Sequence, residues 1–396
     1  MRLDFQDRRA VEGYAKLPHR QRVSLYSEAV KAPFLRVQGT IERWWDTLYG
    51  GPLPPQVRYN YGTAYKPLQD FMGKAPNHEL EQSWCVLQAL HGPNRAPLWI
   101  LDEPCARALA DTDPPFDLVT EELVEQRLRL PFPAMYLQVP QSVAMVHDKE
   151  TGDHPVEGIY LVEDWCLPTP GNPDKWGCVD LMESPPQMPA DPDLRAKAAR
   201  MLERDASPEV WHRLRDQGIH VRPHAGFDQL KRTLLVVVMG KAKGVLWSDA
   251  GHWFPNDSFV VYRIGPGLRL HDEQVELIRK AGDITHLVIN FLLALHTNHL
   301  SQQHVKPKAP KNATKERKRA ARGEVFESHT VVSLKRRPVA TGSDLRQSAA
   351  NALAGHIVRG HWRTYWVREP SDEIPIGVKE GKDGPLHRVA RWIMPF

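Results

Sequence analysis

Cysteine, long apolar runs and glycine-rich signatures are all scarce in this chain, and each scarcity closes a class of protein. Four cysteines, Cys85, Cys105, Cys166 and Cys178, are too few and too scattered for a disulfide framework or a CxxC zinc site, so they read as reduced, buried thiols. The most apolar run, Leu287–Leu295, falls far short of the roughly 18–20 residues that span a bilayer. The opening MRLDFQDRRAVEGY has no apolar core of the secretory kind, and a cytoplasmic protein without membrane association is expected. No GxxxxGK[ST] loop, no GxGxxG after a strand and no GxSxG elbow occurs, which removes the usual warrants for nucleotide hydrolysis, dinucleotide binding and esterase chemistry. No cofactor is expected. The histidines His296, His299 and His304, and His220 with His224, lack a carboxylate at ligand spacing, so no metal site is expected either.

What is present is charge, unevenly placed. Hydrophobic residues make up 41% of the 396 positions and charged residues 25%, the proportions of a globular protein, with 34 prolines to interrupt helices. Residues 306–396 carry 19 Lys and Arg against 9 Asp and Glu, whereas residues 1–305 carry 33 against 39. A basic tail on a mildly acidic body points to a polyanionic partner, or to a basic surface with no partner at all.

The length exceeds what one core prefers, and the patterns predict an α+β protein: a mixed β-sheet body with flanking helices, and a small C-terminal β-rich module. Residues 1–130 read as mainly helical, with helices at Gln21–Val30, Phe34–Tyr49, Glu79–Leu90 and Thr120–Leu130 and a packing cluster of Trp44, Trp45, Leu48 and Tyr49. Residues 131–305 read as an α+β core, forming one body with 1–130. Strands are expected in PAMYLQVP, GIYLVEDW, WGCVDLM, the β-branched run LLVVVMG, VLWSDAG and SFVVYRIG. Asp191-Pro192 and Ser207-Pro208-Glu209 each open a helix, the second stopping at Gly218. A helix at Asp272–Lys280 precedes DITHLVINFLLALHTNHL, where Ile284, Leu287, Val288, Phe291, Leu292 and Leu295 recur at helical spacing. Residues 306–324 form a basic flexible linker, and 325–396 a basic β-module built from HTVVSLKRR, GHIVRGHWRTYWV and HRVARWIMPF.

The candidate site lies in that module. Strand alternation in GHIVRGHWRTYWV places Arg359, His361, Arg363 and Tyr365 on one face, a row that could grip phosphates and stack a base. Trp362 and Trp366 fall on the other face and are assigned to packing. If HRVARWIM pairs with this strand, Arg391 joins the row. Only Glu324, Glu327 and Asp344 lie between the basic arm and Arg359, which favours an external phosphate over internal ion pairs. Lys315, Arg317, Lys318 and Arg319 of the linker would add sequence-independent, salt-sensitive affinity for nucleic acid, or be solvated and touch nothing. His361 beside arginines could also serve as general acid or base in phosphodiester chemistry, against a plain structural histidine. Glu163-Asp164, with Asp180 and Glu183, could form an acidic nuclease site, but they match no nuclease spacing and read as strand-end turn residues.

The run Gly355–Arg363, GHIVRGHWR, followed by a polar loop and the closing RWIMPF, resembles a signature of proteins from phages, plasmids and integrated elements. It is similar to the family named after an anti-CRISPR protein directed against the type V-A effector nuclease, and THLVINFLLALHTNH resembles a helix before the tail in that family. The resemblance implies a mobile-element accessory protein in a bacterial host cell that acts on a host defence system by lowering production of a target at the level of its transcript. It transfers no catalytic residue. The expected function is a non-enzymatic regulator whose basic module binds RNA or a ribonucleoprotein while the body recognises a host defence protein. A ribonuclease using His361, and a phage structural or assembly protein, are the alternatives.

Overall fold

The computed structural model describes residue 35 and residues 6–17, 38–46, 51–54, 97–114, 129–148, 152–169, 172–177, 188–204, 208–219, 230–247, 253–264, 282–306, 328–335, 361–369 and 374–393, apart from 142, 298 and 383. Nine strands form one mixed sheet: β1 (Leu98–Leu101), β2 (Ala134–Gln138), β3 (Met145–Asp148), β4 (Gly152–Thr169), β5 (Asn172–Gly177), β6 (Lys231–Trp247), β7 (Trp253–Ile264), β8 (Leu300–Val305) and β9 (His329–Leu334). Its main path runs β7-β6-β4-β2-β1-β9-β8, with β3 and β5 paired to β4. β1 lies parallel to both β2 and β9, and the other pairings are antiparallel. A second, three-stranded antiparallel sheet has the order β10-β12-β11, from β10 (His361–Val367), β11 (Ile374–Gly381) and β12 (Gly384–Ile393). With the helices α1 (Arg8–Ala15), α2 (Glu103–Ala110), α3 (Pro192–Arg204), α4 (Pro208–Asp216) and α5 (Gly282–Leu295), the protein is α+β.

The LLVVVMG run forms the interior of β6 because β-branched side chains suit a pleated surface covered on both sides. Leu234 to Met239 are all buried. Alternation divides them between two faces. Leu234, Val236 and Val238 join Leu161, Ile159, Met135, Leu137, Trp99, Tyr262 and Val332 in one core with α2 and α5. On the other face Tyr136 and Tyr160, registered opposite each other, hold their rings 4.8 Å apart.

α5 is buried almost all round: every residue from Ile284 to Ala294 is buried except half-exposed His286, so the expected apolar stripe widens to a core helix. Its polar residues are satisfied internally. Asn290 Nδ2 donates to the carbonyls of Leu109 (2.9 Å) and Thr112 (2.7 Å), fastening α5 to the C-terminal end of α2. Phe291 meets Trp99 of β1 edge to face at 5.9 Å. α2 starts where β1 ends: the Asp102 carboxylate accepts from the Cys105 amide (2.8 Å), while the Asp102 N–H continues the sheet to the Val332 carbonyl (3.0 Å).

Several sequence expectations match this structure. The helix at Pro192 is capped by the Asp191 side chain, which accepts from the amides of Asp193 and Leu194, and α4 ends at Gly218 with φ +70°. Residues 38–46 are helical, and Trp44 and Trp45 lie 6.1 Å apart. Other elements differ. LWIL, inside the region read as mainly helical, is strand β1 of the large sheet. HTVVSL, grouped by sequence with the tail, is β9, paired with β1 and β8 in the large sheet. These short strands are held by partners remote in sequence, which leave no local pattern to read. The helices expected at Gln21–Val30, Glu79–Leu90 and Asp272–Lys280, most of that at Thr120–Leu130, the basic arm and residues 355–360 lie outside the described residues.

Candidate functional site

The register of the small sheet is fixed by a glycine-bounded hairpin. Gly381 pairs with Gly384, so the hairpin turns within two residues. Gly384 sits at φ +115°, and a Cβ on Gly381 would come within 2.8 Å of the Gly384 carbonyl oxygen. Larger residues are excluded at both ends of the turn. A slip by one residue would exchange the two faces, so this turn decides which side chains meet a partner.

β10 pairs with β12 as the sequence anticipates, and the register sets Arg363 opposite Arg391, His361 opposite Ile393 and Tyr365 opposite Val389. Strand positions 361, 363, 365 and 391 therefore share one face. Arg363 is exposed, whereas Val389, on the central strand of the same face, is fully buried. Arg359, Lys315, Arg317, Lys318 and Arg319 lie outside the described residues.

The opposite face overturns an expectation. Trp366, assigned to packing, is 42% exposed. Lys379 of β11 sets its ammonium 4.3 Å from the centroid of the Trp366 ring. Exposed Arg388 lies directly opposite Trp366 on β12, with Gly377 on its far side. Alternation identified which residues share a face but not which face would be open, because both carry apolar residues. The signal that reaches Lys379 and Arg388 is the GKDG turn, which pairs β11 with β12.

Glu163 and Asp164, read from the sequence as strand-end turn residues, lie inside β4, where they pair with Leu234 and Thr233 of β6, and they do not form a two-carboxylate site. Neighbours on a strand point to opposite faces, and each acid is taken by an arginine. Glu163 accepts from Arg232 at 3.2 Å, and Asp164, only 1% exposed, accepts from Arg263 Nε at 2.9 Å. The small cavity beside Glu163 and Arg232 is closed by Leu234, Ile264, Ile289 and Leu292 and holds about 10 Å³, too little for a substrate. Asp180 and Glu183 lie outside the described residues.

The two described cysteines, Cys105 and Cys166, are free and buried. Burial, reinforced by the nearby Asp102 carboxylate, pushes the Cys105 thiol up to about 12, so it is no nucleophile at neutral pH. Among the described residues no group of three or more His, Cys, Asp or Glu is placed to hold a metal ion. No helix among them is long and apolar enough to cross a membrane.

The class defined by these observations is an α+β protein with a large mixed sheet and a separate, cation-bearing antiparallel sheet formed by its C-terminal residues. Residues 99–396 match the model of the anti-CRISPR type V subtype A2 family, described as AcrVA2-like, and the chain belongs to that family. Membership makes it an anti-CRISPR-like accessory protein and ties it to host defence machinery. The chain is also similar to the crystal structure of AcrVA2, at 14% identity and a TM-score of 0.43, over 95% of this chain and 97% of that one. A comparison with curated proteins gives no match.

Proposed function

We propose that this protein is a mobile-element accessory factor that antagonises a type V-A defence system by binding RNA, or a ribonucleoprotein, through its basic tail. The observation that carries the reading is the register of Arg363 against Arg391. Like charges directly opposite each other destabilise a sheet unless an acid or an external anion lies between them, and a phosphate answers that demand. His361 and Tyr365 share the face, adding a hydrogen-bonding ring and a surface for a base. The basic arm with Lys315, Arg317, Lys318 and Arg319 would bind the same strand without regard to sequence.

The proposal is tested by replacing Arg359, His361 and Arg363 together with Ala in the full chain. Filter retention of labelled single-stranded RNA should disappear at about 0.1 M salt, where screening is moderate, while the circular dichroism spectrum stays that of the wild type. Retention equal to wild type would remove this face from the account.

A further inference from the structure

Resting on the RNA-binding reading above, we propose that the face of the small sheet bearing Trp366, Lys379 and Arg388 is a stacking platform for an unpaired base of single-stranded RNA. A tryptophan 42% exposed on a sheet face is surface that folding alone would tend to cover. It is bracketed by cations. Lys379 lies over its ring at 4.3 Å, and Arg388 stands directly opposite it in the register. On the far side of Arg388, Gly377 presents no side chain, and a Cβ there would meet only the Arg388 Cβ at 3.9 Å, so the space over Gly377 is open.

The described strand positions on this face include Thr364, Trp366, Gly377, Lys379, Leu386 and Arg388, and none of them is a carboxylate; Glu380 pairs with Pro385 on the other face. Among the described strand positions, neither cation has an acid on its own side of the sheet. A wholly apolar partner would have to strip water from them without compensation, and an acidic peptide would leave the indole unused. A nucleotide supplies a π-face for the tryptophan and a phosphate for the cations together.

Lys379 is the movable part. Its contact with an exposed ring is weaker than base–tryptophan stacking, so an incoming base displaces the ammonium, which the flexible stem can deliver to the phosphate of the same nucleotide.

The test uses full-length protein and fluorescence anisotropy with two labelled single strands of equal length and charge, oligouridine RNA and an abasic RNA. Trp366→Ala should bind the uridine strand about 5- to 150-fold more weakly than wild type. Trp366→Phe, which keeps an aromatic face, should recover most of that loss, and all three proteins should bind the abasic strand alike. Equal binding of the uridine strand by Trp366→Ala and wild type overturns the platform, as does an equal loss on the abasic strand, which would make the ring a structural prop. If wild type binds and the Arg359, His361 and Arg363 triple variant does not, while Trp366→Ala is unaffected, the platform alone fails. Failure of the wild-type chain to bind any RNA overturns both readings.

Discussion

Asp164 shows how much a single buried group decides in this fold. Its carboxylate is 1% exposed and takes the Arg263 guanidinium, itself 24% exposed. Asp164→Ala should cost roughly 2–4 kcal/mol in a urea titration, the penalty for orphaning a mostly buried charge, tempered by the water that still reaches Arg263. A change below about 0.5 kcal/mol would mean the pair is as weak as an exposed one. The sequence contained the reason this acid is structural, since adjacent strand residues cannot share a face, but its partner 99 positions away could not be read. Cys105 is the second residue of this kind. With its folded value raised to about 12 from 9.0 by burial and by Asp102, the thiol contributes stability that is intact below about pH 9 and declines as pH rises toward 12. Tyr262, pushed up by complete burial, acts in the same direction. Stability measured from pH 8 to 11 should fall, and Cys105→Ala should flatten part of that fall. Alkylation at pH 8 followed by peptide mass spectrometry should leave Cys105 and Cys166 unlabelled until denaturant is added; labelling in the native state would contradict their burial.

At the scale of elements, α5 was legible and its fastening was not. Six apolar residues at helical spacing announce a core helix, but Asn290 in their midst looks like an ordinary polar interruption. Its two bonds to the end of α2 satisfy carbonyls that a helix terminus leaves open. Asn290→Leu should therefore destabilise by about 2–4 kcal/mol despite being more apolar, because two buried acceptors lose their donor; an unchanged unfolding midpoint would show that neither bond matters. The small sheet was legible in another way. Alternation gave the two faces of β10 and the pairing with HRVARWIM, while β11, spelled IPIGVKEG, was missed because its glycines and proline disguise a strand. Without β11 neither Lys379 nor its place over Trp366 could be found, and Trp366 was assigned to the interior. β1 and β9 were obscured for a further reason: they pair in parallel across more than two hundred residues of chain, and such pairing has no local signature.

For the whole molecule, the sequence's charge division agrees with where the cationic surface stands. The body takes Glu163 and Asp164 of β4 into ion pairs, and the C-terminal sheet presents Arg363, Arg388, Lys379 and Lys382 to solvent. Family membership supplies the setting, and the tail's chemistry supplies the reading that RNA is the partner. The most direct measurement is the affinity of the full chain for single-stranded RNA between about 50 and 200 mM salt. Each phosphate contacted adds about −0.7 to the slope of log affinity against log salt for a single strand. The account predicts a steep linear decline for wild type and, when Arg359, His361 and Arg363 become Ala, loss of binding from about 0.1 M salt upward. Binding that is absent, or that ignores both salt and these substitutions, would contradict it.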